Sequence, residues 1–140
     1  MPAYLTRDVI DPAAVLHAVR SPHAGGAVLF VGTVRDLTGP EVTVALEYDA
    51  YAGMAERVFA EIEAETRARF PVAGVALVHR LGRLAVGEIS VAVAASCPHR
   101  ADAFAAARFA IDAVKERVPV WKQDIPPAGP PAWVHPDAPT

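Results

Sequence analysis

The stretch SCPHRADAFAAARFAIDAVKERVPVWKQD, residues 96–124, decides how the rest of the chain is read. With a 3.6-residue period, Phe104, Ala107, Ile111, Val114 and Val118 fall on one stripe, which predicts a helix packed by one face onto a core and stopped by Pro119. That helix starts just after Pro98. His99 and Arg100 therefore sit where free backbone N–H groups and the positive end of the helix dipole already favour an anion. Lys115 lies on the last turn, off the stripe, and Lys122 follows Trp121 in an extended segment. Each has a plainer reading. Arg108, Asp112 and Lys115 follow i, i+4, i+7 spacing, which suits a solvated face with Lys115 paired to Asp112. His99 and Arg100 suit a surface helix start, and Lys122 suits a stem lying over its aromatic neighbour.

Outward from this stretch, 140 residues with 53% hydrophobic composition predict one domain, 1–140, with a Pro-rich tail over 125–140. A net charge of −3 provides no global basic field, so nucleic acid is not the expected partner and any anion site must be local. One cysteine cannot form an internal disulfide, and with no signal peptide visible the expected setting is a reducing cytoplasm. The apolar runs are too short and interrupted to cross a bilayer. His17, His23, His79, His99 and His135 show no metal-ligand spacing, and no cofactor is expected.

In chain order, an extended opening leads to a helix capped by Asp11 with Pro12 at its first position, running to about Arg20, and then a turn over Ser21 to Gly26. Ala27 to Val34 is a dense apolar run, expected as a strand buried on both faces. After a loop with Gly39 and Pro40, Val42 to Tyr48 is expected as its antiparallel partner. Ala52 to Phe70 predicts an amphipathic helix carrying Met54, Val58 and Ile62, stopped by Pro71. Val75 to His79 and Ile89 to Ala95 predict a second strand pair, followed by the helix after Pro98 and short strands near Val120 and Trp133. The order β-β-α-β-β-α predicts an α+β domain with helices packed on a mainly antiparallel sheet.

Six spaced motifs then resemble one family. They are Phe30 to Asp36, Tyr48 to Tyr51 with Met54 to Glu56, His79 to Gly82, Pro98 to Arg100, Ile111 and Asp112 with Lys115, and Val118 to Lys122. In order and spacing, over about residues 25–135, they resemble the large, catalytic subunit of molybdopterin synthase. The resemblance implies an α/β-hammerhead fold and an enzyme that converts cyclic pyranopterin monophosphate into molybdopterin by installing two sulfurs as a dithiolene. Sulfur would arrive on the C-terminal Gly-Gly thiocarboxylate of a small ubiquitin-like carrier, inserted into a pocket of the large subunit. Two large subunits would form a central dimer with one carrier at each end, a heterotetramer. Carried over by motif, Lys115 and Lys122 are the catalytic candidates, and Thr33, Val34, Arg35, His99, Arg100, Gln123 and Asp124 the substrate-binding ones. His99 and Arg100 would complete the neighbouring subunit's pocket. Gln123 stands where many relatives carry a second basic residue, Asp124 where glutamate is common, and Cys97 where serine is frequent.

Physics makes that set intelligible. Phosphate and thiocarboxylate are both anions, and at an effective dielectric of ~20 two like charges ~4 Å apart repel by about 4 kcal/mol. Bringing them together requires convergent cations, which Arg35, Arg100, Lys115 and Lys122 can supply. Arginine's rigid fork suits phosphate, so Arg35, His99 and Arg100 are assigned to binding; a desolvated lysine crowded by cations loses basicity and can move a proton or attack, so Lys115 and Lys122 are assigned to the chemistry. Two rival readings use the same residues. Cys97 with His99 as base would make a thiol hydrolase or acyltransferase, and the basic cluster alone would serve a non-catalytic module that binds a phosphate ligand.

Overall fold

In the computed structural model, residues 3–38 and 41–134 are described; the expected loop residues Gly39 and Pro40, and His135 with the end of the Pro-rich tail, lie outside them. Two four-stranded sheets and a small ribbon carry three helices. The first sheet has the order β1 (Leu5–Thr6), β6 (Gly74–Arg80), β8 (Ile89–Cys97), β2 (Gly26–Thr33). Its β1 and β6 run parallel, and the other pairs are antiparallel. The second sheet, all antiparallel, has the order β10 (Ala132–Val134), β9 (Val120–Ile125), β5 (Ala45–Ala50), β7 (Gly82–Ala85). A ribbon of β3 (Leu37–Thr38) and β4 (Glu41–Val42) projects between β2 and β5.

Strand alternation explains how the first sheet is covered on both faces. Val75, Leu77, Val91 and Val93 point to one side, where α2 (Ala52–Arg69) and α3 (Arg100–Arg117) pack through Ala55, Phe59, Ile62, Ala110, Ala113 and Val114. Ala76, Val78, Ala92 and Ala94 point to the other, under α1 (Pro12–Val19) with Val15 and Val19. The cap of α1 is as expected, since the Asp11 carboxylate accepts from Ala13 N at 3.0 Å and Pro12 occupies the first turn. Each large side chain among these, such as Phe59 and Ile62 at 0% exposure, contributes about 1.5–3 kcal/mol. Among the described residues no helix is long and apolar enough to cross a membrane.

The α+β class and the strand pair over 75–95 agree with expectation, and three local expectations do not hold in full. The run after Ala27 is not a strand buried on both faces. Among the described residues β2 ends its sheet and pairs with β8 alone, and every residue of it is exposed or half-buried, with Phe30 40% exposed. An apolar composition reports that a strand finds cover without reporting whether the cover is in the same chain. Nor does the Val42 to Tyr48 segment pair with β2. Val34 gives its N–H to Glu88 O and accepts from Gly87 N, after which the chain leaves for the second sheet, where β5 pairs with β7 and β9. The stripes of the two long helices are right only in part. Ile62, Ala107, Val114 and Val118 are buried as expected, but Met54 is 53% and Phe104 64% exposed, and Ala55, Phe59, Ala103, Ala106, Ala110 and Ala113 complete the buried faces. Alanine is a weak periodicity marker, yet its small side chain is what lets α3 lie close on Ala95 and Cys97 of β8. Between β6 and β8 the chain makes an excursion. Gly82, at φ +96°, turns the chain into β7 of the second sheet before it returns.

Candidate active site

The two sheets meet where β2 ends, and a cleft of about 280 Å³ opens there, lined by Thr33, Arg35, Tyr48, Ser90, Lys115 and Lys122 among others. The register of β2 against β8 slips at this point: Gly32 faces Val91, but Thr33 faces Ile89, so Ser90 is the extra residue of a bulge. The bulge turns Ser90 into the cleft, where its Oγ donates to Gly32 O at 3.2 Å. Gly32 cannot carry a side chain here, because a Cβ would stand 2.6 Å from Val91 Cγ1 in the core.

Three cations enter from three elements. Arg35 leaves the end of β2, Lys115 comes from the last turn of α3, and Lys122 from the middle of β9. The bland pairing of Lys115 is absent, since Asp112 is bonded to Arg108 at 3.6 Å. Among the described residues none of Arg35, Lys115 and Lys122 has a carboxylate within ion-pair distance. Lys122 is 8% exposed; burial, then the Lys115 and Arg35 charges, pull its ammonium below the usual lysine range against the opposing effect of Asp124. Lys115 leaves part of its side chain open to solvent, yet the protein around its head group and then the Arg35 guanidinium lower it as well. Two ammonium groups held down by desolvation and like charge form a place where an anion would be welcome.

Behind the cations lies a polar layer whose Tyr48 and His79 each open one of the sequence motifs but were given no place in the site. Tyr48, 7% exposed, sits directly across the ladder from Lys122; burial raises its phenol more than its hydrogen bond with Ser90 lowers it. Its ring meets the edge of His79 at 4.9 Å. His79 is 4% exposed and its Nδ1 lies 2.8 Å from Arg80 O, so that nitrogen carries the proton and the ring is neutral. Burial, with a smaller push from the Lys115 charge, lowers its pKa from 6.5 to about 4. Because the unfolded chain takes up this proton first as pH falls below about 6.5, stability is full above that pH and declines toward 4, by roughly 3 kcal/mol at most. Urea unfolding at pH 7 and 4.5 should show this loss in the wild type and a smaller one in His79→Phe. Identical pH dependence in both would remove His79 as its source.

The remaining expected site residues are not gathered in this cleft. Val34 is 3% exposed with its side chain in the core beside Leu46 and Leu84. Gln123 alternates to the opposite face of β9 from Lys122. Asp124 returns to the Lys122 face and accepts from Thr43 Oγ1 at 3.4 Å. His99 is the N-cap of α3 and Arg100 its first residue, both exposed. Fifteen residues of helix put Arg100 about 22 Å from Lys115, so within one chain neither reaches the cleft. Among the described residues no group of three His, Cys, Asp or Glu could hold a metal ion.

Cys97 has 0% exposure, packed among Ala95, Ala103, Ala106 and Ala107, and burial followed by the Asp102 charge pushes its thiol up. A closed-off, protonated thiol is a poor nucleophile. Cys97→Ser should retain turnover within a few-fold while costing about 1–3 kcal/mol of stability for the buried hydroxyl. A folded Cys97→Ser protein slowed by orders of magnitude would restore the thiol reading.

Comparison with known proteins agrees with this architecture. A family model described as MoaE protein matches residues 5–117. A molybdopterin synthase catalytic subunit from Halalkalibacterium halodurans is 47% identical over 110 residues, 79% of this chain and 70% of that one. The one from Thermoplasma volcanium is 42% identical over 130 residues, 92% of this chain and 94% of that one. The crystal structure of molybdopterin synthase from Staphylococcus aureus superposes with a TM-score of 0.89 at 35% identity, covering 96% of this chain and 98% of that one. With the family model spanning most of its length and relatives this similar along almost all of it, the chain belongs to the MoaE protein family.

Proposed function

We propose that this chain is the catalytic subunit of a molybdopterin synthase, transferring sulfur from the C-terminal thiocarboxylate of a small ubiquitin-like carrier to cyclic pyranopterin monophosphate in the cytoplasm. The observation that carries the reading is the convergence of Arg35, Lys115 and Lys122 on one cleft, with no ion pair to a carboxylate among the described residues. Two anions must meet there, and the cations offset a repulsion of about 4 kcal/mol at ~4 Å and an effective dielectric of ~20. Arg35 holds the phosphate, and Lys115 and Lys122 act where the carrier's carbon–sulfur bond breaks. Water supplies the oxygen that leaves a carboxylate on the carrier, and the sulfur's new bond to a side-chain carbon of the pterin replaces a carbon–oxygen bond there, whose oxygen departs with the phosphate or as water. Thr33 lines the approach and Asp124 flanks it, while Val34 holds the end of β2 in place from the core and Gln123 lies on the outer face of β9.

The same reading makes two copies necessary. β2 ends its sheet with an open edge, and two such edges paired antiparallel about a two-fold axis between Leu29 and Phe30 would set Gly26 opposite the partner's Thr33. Arg100 Cα lies 3.2 Å from the Cβ position of Gly26. Such a pairing would carry His99 and Arg100 to the partner's cleft, which supports the dimer and the contribution of these residues to the neighbouring site.

The test is to mix the purified chain with thiocarboxylated carrier and cyclic pyranopterin monophosphate and assay for molybdopterin. Product is expected only with all three components. Tight binding of the pterin with no product would leave the non-catalytic phosphate-binding module as the better reading.

A further inference from the structure

Arg35 reaches the cleft with no ion pair among the described residues, so its aim depends on the backbone on either side of it. After it, Asp36 O accepts from Thr43 N at 2.8 Å. Before it stands Val34, 3% exposed and bonded in both directions: its N–H donates to Glu88 O at 3.0 Å, and its carbonyl accepts from Gly87 N at 2.9 Å. Both bonds pass to one turn, Ala85 to Glu88, between β7 and β8. That turn closes through Glu88 N donating to Ala85 O at 3.1 Å, with Gly87 at φ +89°. It is then tied from outside by its own acid. Glu88 Oε1 accepts from Ala85 N at 2.8 Å, and Oε2 accepts from Arg80 Nη1, at the end of β6, also at 2.8 Å. The Arg80 side chain is only 13% exposed, and among the described residues Glu88 is the carboxylate it pairs with.

We propose that Glu88 is a positioning residue for Arg35: its carboxylate, bridging the Ala85 N–H and the Arg80 guanidinium, fixes the turn whose two backbone bonds hold Val34 and so aim the next residue into the cleft. Those bonds also keep the carboxyl below the usual range, the Ala85 N–H first and Arg80 second, so the bridge is ionised at neutral pH. Glu88 does not line the cleft, and its connection to Arg35 runs through Val34. An effect through space would carry the opposite sign. Taking a carboxylate away from a cationic cleft favours an anion there, whereas losing the position of Arg35 disfavours it.

This inference rests on the sulfur-transfer reading for its kinetics but not for its backbone readout. Glu88→Ala should raise the pterin KM by roughly tenfold, with kcat and the carrier KM within about twofold, since Arg35 is assigned to binding. In the Arg35→Ala background the same substitution should add nothing further, because the side chain it positions is gone. In the free chain, amide hydrogen exchange should show the Val34 and Gly87 N–H groups opening at least ~tenfold faster in Glu88→Ala, with Val91 and Val93 of β8 unchanged. Glu88→Gln keeps an oxygen for Ala85 N and should move each readout in the same direction by less, which carries the test if the alanine variant does not fold. An unchanged or lower pterin KM in the folded variant overturns the proposal, as does an equal rise in KM with Arg35 already removed. Faster exchange spread evenly over β8 also overturns it, by showing that the carboxylate serves the fold as a whole. Absence of product from the wild type would instead sink the sulfur-transfer reading, leaving the Val34 exchange to decide on Glu88.

Discussion

Lys122→Ala should lower kcat for molybdopterin formation by ~10² or more while carrier and pterin affinities stay within a few-fold, because an interaction made only in the transition state appears in kcat. Lys115→Ala should behave similarly. Arg35→Ala should instead weaken pterin binding, by about 1.5–3 kcal/mol for a lost charged hydrogen bond. The stability readout should move the other way from the rate. Lys122 is 8% exposed, has no carboxylate within ion-pair distance among the described residues and is pressed by two other cations, so its removal relieves an unfavourable burial and should leave the melting temperature equal or higher. A residue kept for the fold would lower both. Single-turnover rates at saturating thiocarboxylated carrier, with folding followed by circular dichroism, separate these cases. Wild-type rates in Lys115→Ala and Lys122→Ala would mean that the cleft binds but does not catalyse.

Legibility followed the physics of each signal. The cap at Asp11 and Pro12 was readable because both act within one turn of the chain. Strand partners were not: Val42 to Tyr48 has a strand pattern, but nothing local says that the backbone of Val34 will be taken by Gly87 and Glu88, which sends the next strand to another sheet. Helix faces were half right, for a different reason. Phe104 and Met54 outweigh alanine in any apolar tally, whereas close packing of α3 on Ala95 and Cys97 selects its alanine face. Of the site, Arg35, Lys115 and Lys122 came from motif positions and the structure brings them together. Tyr48 opened a motif without being given a site role and Ser90 was visible only as a strand residue, since a bulge placing one beside the other leaves no mark of its own. A cross-strand polar pair opposite a lysine is the signal that could have raised them.

Arg100→Ala and Lys122→Ala, each crippled as a homodimer, should together yield a heterodimer with about half of the wild-type activity, since a two-fold dimer has two equivalent sites. Helix α3 places Arg100 some 22 Å from Lys115 in its own chain, too far to share a cleft of about 280 Å³. If each cleft takes its arginine from the neighbour, the chain carrying Arg100→Ala keeps Lys122 and receives an intact Arg100 from its partner, so one site is whole. The other site then holds both lesions and is silent. If Arg100 instead served its own chain, every site would contain one lesion and no activity would return. Co-expression with two different affinity tags, tandem purification of the mixed dimer and assay with saturating carrier distinguish these outcomes. Pterin should be held below KM for the Arg100→Ala homodimer, where its binding defect is fully expressed. Recovery to about half in the mixed dimer supports a cleft assembled from two chains. Activity no greater than the mean of the two parent homodimers would leave His99 and Arg100 as an exposed helix start and the cleft as the work of a single chain.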